Sequence, residues 1–367
     1  MIHTTFLAVR WNPTRFERLV DRWSSVAEAG APVIALPQDE FINTEGLERA
    51  FEAFGVEHVY SVADSTQWPV IYPRSSAAGM PFSRILTGYL DRGTVARTDE
   101  IAGARIDRSR PLDIGYRAWR AEPWLGEHGR QKVEIAHRFV EVLPEDVRTS
   151  ISLEANDVLL EDDWIRFLLD SRWTIGVEGG ASIIDRDGSL RRRTMSWEAR
   201  HPNAEFATVR AACFPDAEGS LDLRALSPRH LEACTTRTGQ ILIEGDYNGI
   251  LEPERHYVPL RPDYSNLPEV VDRMRDEVAR KEMADRARRE IVDSGVAGSH
   301  AMVASVVRSA RSPSPGRRET RSPTRDGADQ QSWEIVRRRQ RYETMARDVL
   351  SPALRMRRWL RTRMGRG

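Results

Sequence analysis

Short apolar runs alternate with amphipathic helical stretches along most of this 367-residue chain. Each run has the length of a strand, and the stretches between the runs carry apolar residues at helical spacing. Alternation of this kind predicts βαβ units with parallel sheets, so we expect an α/β protein. The predicted strands are residues 5–9, 33–36, 58–62, 112–116, 150–153, 173–177, 240–243 and 257–260, and the predicted helices are residues 16–29, 45–54, 130–143, 163–169, 228–236 and 267–292.

A looser segment rich in turn residues, 64–110, interrupts this pattern before it resumes. The chain is long enough for two cores, because single cores stop growing near ~250–300 residues. We therefore predict two domains, residues 1–105 and 106–298.

Basic residues are concentrated at the C-terminal end. Residues 301–367 contain 17 Arg and 6 acidic residues, a net charge of +11, so the first 300 residues of this neutral chain carry −11. Residues 309–331 have almost no large apolar side chains, which predicts a disordered linker. Residues 332–364 regain helical spacing, with Trp, Leu and Met among many Arg, which predicts a basic amphipathic helix. This helix could attach to an anionic membrane or brace the first domain, whereas no motif supports nucleic-acid binding.

The two cysteines, Cys213 and Cys234, lie in half-apolar stretches without a CxxC motif. This spacing excludes a disulfide framework and gives no reason to expect a zinc site. The N-terminal segment does not have the pattern of a signal peptide, and no stretch approaches the ~20 apolar residues of a membrane span. The expected location is the cytoplasm, with peripheral attachment at the inner membrane face left open.

Polar residues follow the strands at points where ligands bind in parallel sheets. Asp39 and Glu40 come directly after the strand 33–36, where a carboxylate suits a general base or a group that orients a hydroxyl. Gly115 and Arg117 end another strand, where glycine permits close approach and arginine can grip a phosphate. The alternatives are a polar loop and a plain turn.

Two later stretches favour anion binding. Glu178, Gly179 and Gly180 follow an apolar strand, and small residues there can expose backbone N–H groups to an anion. Ser227 and Pro228 predict a helix start whose partial positive charge suits a diphosphate. Arg229 and His230 would add to that charge, and Glu232 could accept hydrogen bonds from a ribose. A tight turn and a simple helix cap are the structural alternatives.

The pair Asp185 and Asp187 has the D-x-D spacing with which some enzymes hold a metal and a diphosphate. Because Asp187 is followed by glycine, a plain loop is the alternative that we favour. No metal site and no cofactor are expected.

Four stretches resemble sequence blocks in a branch of the bacterial glycosyltransferases of the group 1, GT4-like type, which have the GT-B fold. They are the QDE of Gln38–Glu40, the IGYR of Ile114–Arg117, the IGVEGGASIID of Ile175–Asp185 and the block Ser227–Asn266, which begins SPRHLEA. The resemblance covers roughly residues 1–295 and not the tail.

This resemblance implies two Rossmann-like domains facing a cleft. The C-terminal domain would bind a nucleotide-sugar donor through Gly115, Arg117, Gly179, Gly180, Arg229 and Glu232. The N-terminal domain would bind a glycan, a lipid-linked acceptor or a small molecule, and because it is short, a second subunit could complete it. Catalytic candidates are Asp39, Glu40, Glu178 and His230.

Many enzymes of this group carry two glutamates eight residues apart. If Glu232 is the second glutamate, the position of the first is occupied by Arg224. Glu178 is then expected to take the role of the first glutamate. A retaining or inverting outcome is therefore not implied. Two alternatives are a non-catalytic GT-B-like binding protein and a nucleotide-sugar epimerase of the same fold. An NAD-dependent Rossmann enzyme is disfavoured, because no glycine follows the first predicted strand in RWNPTRF.

Overall fold

The computed structural model describes residues 1–28, 30–103 and 108–311. The strands are β1 Ile2–His3, β2 Val33–Leu36, β3 Val56–Ser61, β4 Phe82–Arg84, β5 Leu112–Arg117, β6 Thr149–Ser152, β7 Ser171–Gly176, β8 Gly179–Ala181, β9 Leu223–Ala225, β10 Gly239–Ile243 and β11 Val258–Leu260. The helices are α1 Thr4–Leu7, α2 Pro13–Trp23, α3 Thr44–Phe54, α4 Trp68–Ile71, α5 Pro73–Ala77, α6 Arg92–Ala102, α7 Gly126–Val142, α8 Asp162–Asp170, α9 Ser189–Glu198, α10 Phe206–Cys213, α11 Pro228–Thr235, α12 Leu267–Arg273, α13 Glu277–Ala287 and α14 Ser299–Arg311.

The first sheet is parallel and has the order β1-β2-β3-β4. Alternate residues of β2 belong to different hydrophobic clusters, Val33 and Ala35 to one and Ile34 and Leu36 to the other. Both faces of this sheet are therefore covered, as the continuous apolar run in its sequence requires.

The prediction of a strand at residues 5–9 is wrong. This segment forms α1 and a following 3₁₀ turn, and the strand that pairs with β2 is only Ile2–His3. His3 caps α1 by accepting a hydrogen bond from the N–H of Thr5 at 3.2 Å. Phe6 then packs against the rings of Phe16 and Phe54. A short apolar run cannot distinguish a buried strand from a buried helix by periodicity alone.

The second sheet is also parallel, with the order β11-β10-β7-β5-β6. Its five strands lie within two residues of the positions predicted from the sequence. The predicted fold class, α/β with two parallel sheets, is confirmed.

The core of the first sheet includes residues from far along the chain. Trp124 and Leu125 belong to it, as do buried residues between positions 181 and 223 that lie on β8, β9, α9 and α10 and in the loops around them. The domain boundary near residue 105 falls within 104–107, outside the described residues, and it stays a prediction. Residues 1–105 alone therefore do not form this hydrophobic core.

The prediction of one long helix at residues 267–292 is wrong. The chain forms α12, a break at Met274–Asp276, α13 and a π-helical turn, Arg288–Asp293. The carbonyl of Met274 accepts the indole N–H of Trp173 at 3.1 Å, and the side chain of Asp276 caps α13. The break therefore brings backbone groups to partners that a continuous helix would not reach.

Helix α14 returns to the first sheet. Its Met302 and Val306 pack against the cluster that contains Ile34 and Leu36. The helix continues three residues into the predicted linker 309–331; the rest of that linker and the predicted helix 332–364 lie outside the described residues. Among the described helices, none combines the length and the apolar character that crossing a bilayer requires.

Replacing Trp124 by alanine should lower the free energy of unfolding by about 3–5 kcal/mol, the usual effect of deleting a large core aromatic. Trp124 is fully buried against Trp11 and Phe41, with ring centroids 5.9 and 5.8 Å away. The control is Trp23→Ala, because Trp23 is 44% exposed. Urea denaturation followed by circular dichroism measures both, and equal losses would contradict this account of the core.

Candidate functional site

Two adjoining cavities lie beyond the carboxyl ends of β5 and β7. The first, which we name the cation cavity, has a volume of about 210 Å³. The second, the tryptophan cavity, has a volume of about 450 Å³. Both are lined by Ser227 and Arg229 at the start of α11, and by Arg117, Ala118, Trp119 and Trp164.

The start of α11 lies at both cavities, as the sequence led us to expect. Pro228 occupies the first turn, and the carbonyl of Ser227 accepts the N–H of His230 at 3.0 Å. The side chain of Ser227 makes no capping hydrogen bond, so its hydroxyl does not act as the predicted cap. The N-terminal end of this helix therefore contributes a partial positive charge to the cavities.

Arg117 and Arg229 line both cavities and are held by the protein. Arg117 donates to the carbonyl and the hydroxyl of Ser150, at 2.6 and 2.8 Å, and stacks on Phe167. Arg229 donates to the carbonyl of Arg117, and its guanidinium lies 5.3 Å from the ring centroid of Trp164. These contacts fix the direction of both cations before a ligand arrives.

Lys132, on α7, is a third cation at the cation cavity and was missed in the sequence analysis. It forms no ion pair with any of the described residues. Burial lowers the pKa of Lys132, the charge of Arg229 lowers it further, and the charge of Asp39 raises it. Lys132 thus lies within electrostatic reach of both an arginine of the second sheet and a carboxylate of the first.

A signal for Lys132 is present in the composition. Of the 55 basic residues in the chain, only Lys132 and Lys281 are lysines. A lysine presents a compact ammonium group where arginine presents a planar fork, and of the two lysines only Lys132 lines the cation cavity.

Asp39 lies at the surface, in the loop between β2 and α3. Its backbone has φ of 52°, a left-handed conformation that non-glycine residues seldom adopt. Partial desolvation raises the pKa of Asp39, while the charges of Arg10 and Lys132 lower it. An exposed carboxylate whose pKa is raised can accept a proton from a substrate.

Glu40 is fully buried, unlike its neighbour. One carboxylate oxygen accepts the N–H of Val62 at 2.7 Å, and the other accepts the hydroxyl of Tyr72 at 2.7 Å. Burial raises the pKa of Glu40. This is the environment of a structural carboxylate, and it does not let Glu40 reach a substrate as the sequence analysis expected.

His230 lines the cation cavity, but both ring nitrogens are engaged. Nε2 lies 3.1 Å from the carbonyl of Val177, and Nδ1 lies 3.2 Å from the amide of Gln240. Burial lowers the pKa of His230 to about 4, so the ring is neutral and donates from Nε2. The expected positive charge is absent at neutral pH, and neither nitrogen is free to act as a base.

Glu178 is also enclosed. It is 3% exposed and accepts the N–H of Tyr247 at 2.8 Å. Burial raises the pKa of Glu178, and the nearby charge of Arg224 lowers it. Glu178 lines neither cavity, so its predicted catalytic role would require the loop around Tyr247 to move.

None of the three glycines predicted to bind the donor lines the two cavities, and close packing explains Gly115 and Gly180. A Cβ on Gly115 would lie 2.0 Å from the hydroxyl oxygen of Ser171. Gly179 and Gly180 pair with β9, and a Cβ on Gly180, whose φ is 129°, would lie 1.9 Å from the carbonyl oxygen of Leu223. Their backbones serve the β8–β9 ladder.

Glu232, for which the sequence analysis predicts hydrogen bonds to a ribose, lines the tryptophan cavity. One of its oxygens accepts the indole N–H of Trp164 at 2.7 Å. The sequence analysis missed Trp164 and Trp119, and Trp119 is 50% exposed at the cavity. An exposed tryptophan beside a cavity offers a flat apolar face to a ligand ring.

The D-x-D pair has a structural role. Asp185 is buried and accepts the N–H groups of Leu190 and Arg191, at 3.3 and 2.8 Å, at the start of α9. Asp187 accepts the N–H of Ser189 at 2.9 Å. Within the described part of the chain, no three His, Cys, Asp or Glu side chains lie together as metal ligands would.

No protein-family model and no curated protein matches this sequence. Among solved structures, a crystal structure of TarM matches with a TM-score of 0.42 and 11% identity, over 77% of this chain but only 50% of that one. HepE of Anabaena in complex with UDP-glucose matches with a TM-score of 0.37 and 12% identity, over 76% and 72% of the two chains. Its complex with UDP and glucose gives a TM-score of 0.39 at 10% identity, over 77% and 72%. Because these TM-scores are all below 0.5, a functional assignment depends on the site itself.

The buried His230 should make the protein less stable in mild acid. The unfolded chain takes up a proton near the ordinary histidine pKa of 6.5, but folded His230 does so only near pH 4. The neutral ring therefore contributes fully to the free energy of unfolding above pH 6.5. This contribution, up to ~3 kcal/mol, is lost as the pH falls from 6.5 to 4. Urea denaturation between pH 7 and 4 should show a weaker pH dependence in His230→Gln than in the native protein. The exposed His201→Gln serves as control, and an unchanged slope in His230→Gln would refute the assignment.

Proposed function

We propose that this protein is a glycosyltransferase that binds the diphosphate of a nucleotide-sugar in the cation cavity. The observation that supports this most strongly is the meeting of Arg117, Lys132, Arg229 and the α11 N-terminus around one small cavity. Like charges at short range repel one another, and a bound anion removes that repulsion. A diphosphate has the charge and the several acceptor oxygens that this set of donors can satisfy.

The tryptophan cavity would hold the nucleoside. Trp119 and Trp164 offer aromatic faces on which a base can stack, and the carboxylate of Glu232 can accept hydrogen bonds from ribose hydroxyls. Because the two cavities share Ser227 and Arg229, one nucleoside diphosphate can occupy both. A binding pocket of this kind, mainly apolar with a few placed polar groups, is typical of cofactor and substrate sites.

In the proposed reaction, the bond between the anomeric carbon and the diphosphate oxygen breaks, and its electron pair stays on the diphosphate. Lys132, Arg229 and the start of α11 stabilise this charge. The acceptor hydroxyl forms the new bond to the anomeric carbon, and its proton passes to the carboxylate of Asp39. Atoms and charge balance without a redox partner, and we propose that the cations replace a metal ion in this step.

Asp39 is the sequence-predicted carboxylate best placed for this role. The loops of the first sheet approach α11: Gln38 donates to the carbonyl of Thr87 at 2.6 Å, and Thr87 donates to the carbonyl of Leu226. Gly88 lies so close to Pro228 that a Cβ there would be 2.8 Å from the proline ring. Asp39 therefore belongs to a loop system that borders the donor site.

The acceptor proposal remains broad: a glycan, a lipid-linked sugar or a small molecule. We also propose that the protein is cytoplasmic and that residues 332–364 attach it to an anionic membrane. Assembly into a homo-oligomer is part of the same proposal. The first distinction to make is between transfer and the two alternatives, binding without turnover and epimerisation.

Replacing Lys132 by methionine should weaken nucleoside diphosphate binding about 10- to 100-fold, since a hydrogen bond to a charged group contributes about 1.5–3 kcal/mol. The matched control is Lys281→Met, because Lys281 is the other lysine of the chain and is 61% exposed. Thermal shift with UDP, GDP, dTDP and ADP identifies the nucleotide, and isothermal titration calorimetry gives the affinities. Equal affinities in both variants would place the donor elsewhere.

Asp39→Asn should reduce transfer of the sugar to water by about 10²–10⁴-fold, the usual contribution of a general base. Release of nucleoside diphosphate from the matching nucleotide-sugar measures this rate. Native activity should fall as the pH drops through the raised pKa of Asp39, where the carboxylate becomes protonated. EDTA should leave the rate unchanged.

The exposed Asp21→Asn is the control for Asp39→Asn. Binding of the nucleotide-sugar without release of nucleoside diphosphate would indicate the non-catalytic alternative. Conversion of the nucleotide-sugar to its epimer without such release would indicate an epimerase. Full activity of Asp39→Asn would show that another group takes the proton.

A further inference from the structure

Arg10 is a fully buried cation that no carboxylate pairs with in the described residues. Its guanidinium donates to four backbone carbonyls: Leu7 at 2.9 Å, Gln38 at 2.5 Å, Asp39 at 2.6 Å and Ile42 at 3.0 Å. Three of these carbonyls belong to the loop that follows β2. One side chain therefore holds three residues of that loop.

The same loop carries unusual backbone geometry. Asp39 has φ of 52° and Asn43 has φ of 48°, both left-handed. The side chain of Asn43 donates to the carbonyl of Arg10 at 2.9 Å, which ties the loop to Arg10 a second time. The left-handed region is sparsely populated by non-glycine residues, although Asp and Asn adopt it more readily than others, and hydrogen bonds from the surroundings select it here.

Burial of Arg10 is itself expensive. Removing a charge from water is unfavourable even when hydrogen bonds compensate it, and an apolar residue in such a position is often as stable or more so. The pKa of Arg10 is lowered by this burial. A purely structural filler would not need the planar fork that reaches Gln38, Asp39 and Ile42 together.

We propose that Arg10 is a positioning residue for the transfer reaction: it holds the backbone of Asp39 in the left-handed conformation that presents its carboxylate to the acceptor hydroxyl. This inference rests on the proposed function, because it gives Asp39 its role. Arg10 itself touches no substrate; it acts through the loop.

Two variants separate the geometry of Arg10 from its charge. Arg10→Lys keeps the charge but loses the fork, and Arg10→Gln loses both. We expect both variants to hydrolyse the nucleotide-sugar at least 10-fold more slowly, because misplacing a reacting group by about 1 Å can cost 10²-fold in rate. Affinity for the nucleoside diphosphate, whose site lies on the second sheet, should change less than 2-fold.

The pH profile tests whether Asp39 is the titrating group on which Arg10 acts. The charged groups that act on Asp39 are Arg10, from the turn before α2, and Lys132, from α7. Removing the positive charge of Arg10 should shift the acidic limb of the rate profile to higher pH in Arg10→Gln. The limb should stay in place in Arg10→Lys.

A double-mutant comparison tests whether the effect passes through Asp39. In the Asp39→Asn background, Arg10→Lys should change the remaining rate less than 2-fold, because the carboxylate it positions is gone. Asparagine tolerates the left-handed conformation, so this background keeps the loop. An undiminished effect of Arg10→Lys in that background would overturn the proposal.

If the Arg10 variants do not fold, Asn43→Ala provides the test, because it loosens the loop while the guanidinium stays in place. We expect a smaller loss of hydrolysis with unchanged nucleotide affinity, and an unchanged rate would overturn the proposal. A native protein that binds none of the four nucleoside diphosphates would instead refute the proposed function. Hydrolysis that is insensitive to Arg10 and Asn43 would refute this inference alone.

Discussion

The proposed function depends on the repulsion among the positive charges at the cation cavity. Arg117 and Arg229 have protein acceptors that direct them, whereas Lys132 has no ion-pair partner among the described residues. A cavity of about 210 Å³ that gathers such groups concentrates positive charge in a small volume. In the proposed function a bound anion relieves this repulsion, and the aromatic side chains of the neighbouring tryptophan cavity favour an anion attached to a flat ring and hydroxyl groups.

Buried arginines supply the rigidity behind this site. Arg110 donates to the carbonyls of Leu168, Ser171, Thr236 and Arg237, and so joins β7 to the turn after α11. Arg288 donates to the carbonyl of Thr235 and to Asp99 on α6. Both ends of α11 are thus held: its start by contacts with the first-sheet loops, and its end by guanidinium groups.

The strands of the second sheet were predictable because each is a continuous apolar run bounded by turn residues. The failures have identifiable causes. At residues 5–9 a partly buried helical turn has the same composition as a strand. At Met274–Asp276 the partner that breaks the helix, Trp173, is remote in sequence. The first core could not be delimited because Trp124 and residues 181–223 reach it only through the fold.

The candidate site was predictable to the extent that residues lie at strand ends. Arg117, Arg229 and Glu232 line the two cavities, as their position after a strand or at a helix start indicated. Lys132 was not predicted because it lies within a helix, whereas the site residues were predicted from the ends of strands and the start of a helix. Glu40 and His230 show the opposite error, because the sequence cannot tell whether a polar side chain at a strand end or a helix start is exposed or already satisfied by buried partners.

The departure from the paired glutamates has a physical basis in the β8–β9 ladder. This ladder sets Gly180 opposite Arg224, which brings the guanidinium near Glu178. Where the resemblance leads one to expect a second negative charge, the chain instead has a cation whose charge lowers the pKa of a buried glutamate. In the proposed reaction, charge stabilisation of the leaving group by Lys132 and Arg229 therefore takes the place of a second carboxylate, and Asp39 alone receives the proton of the acceptor hydroxyl.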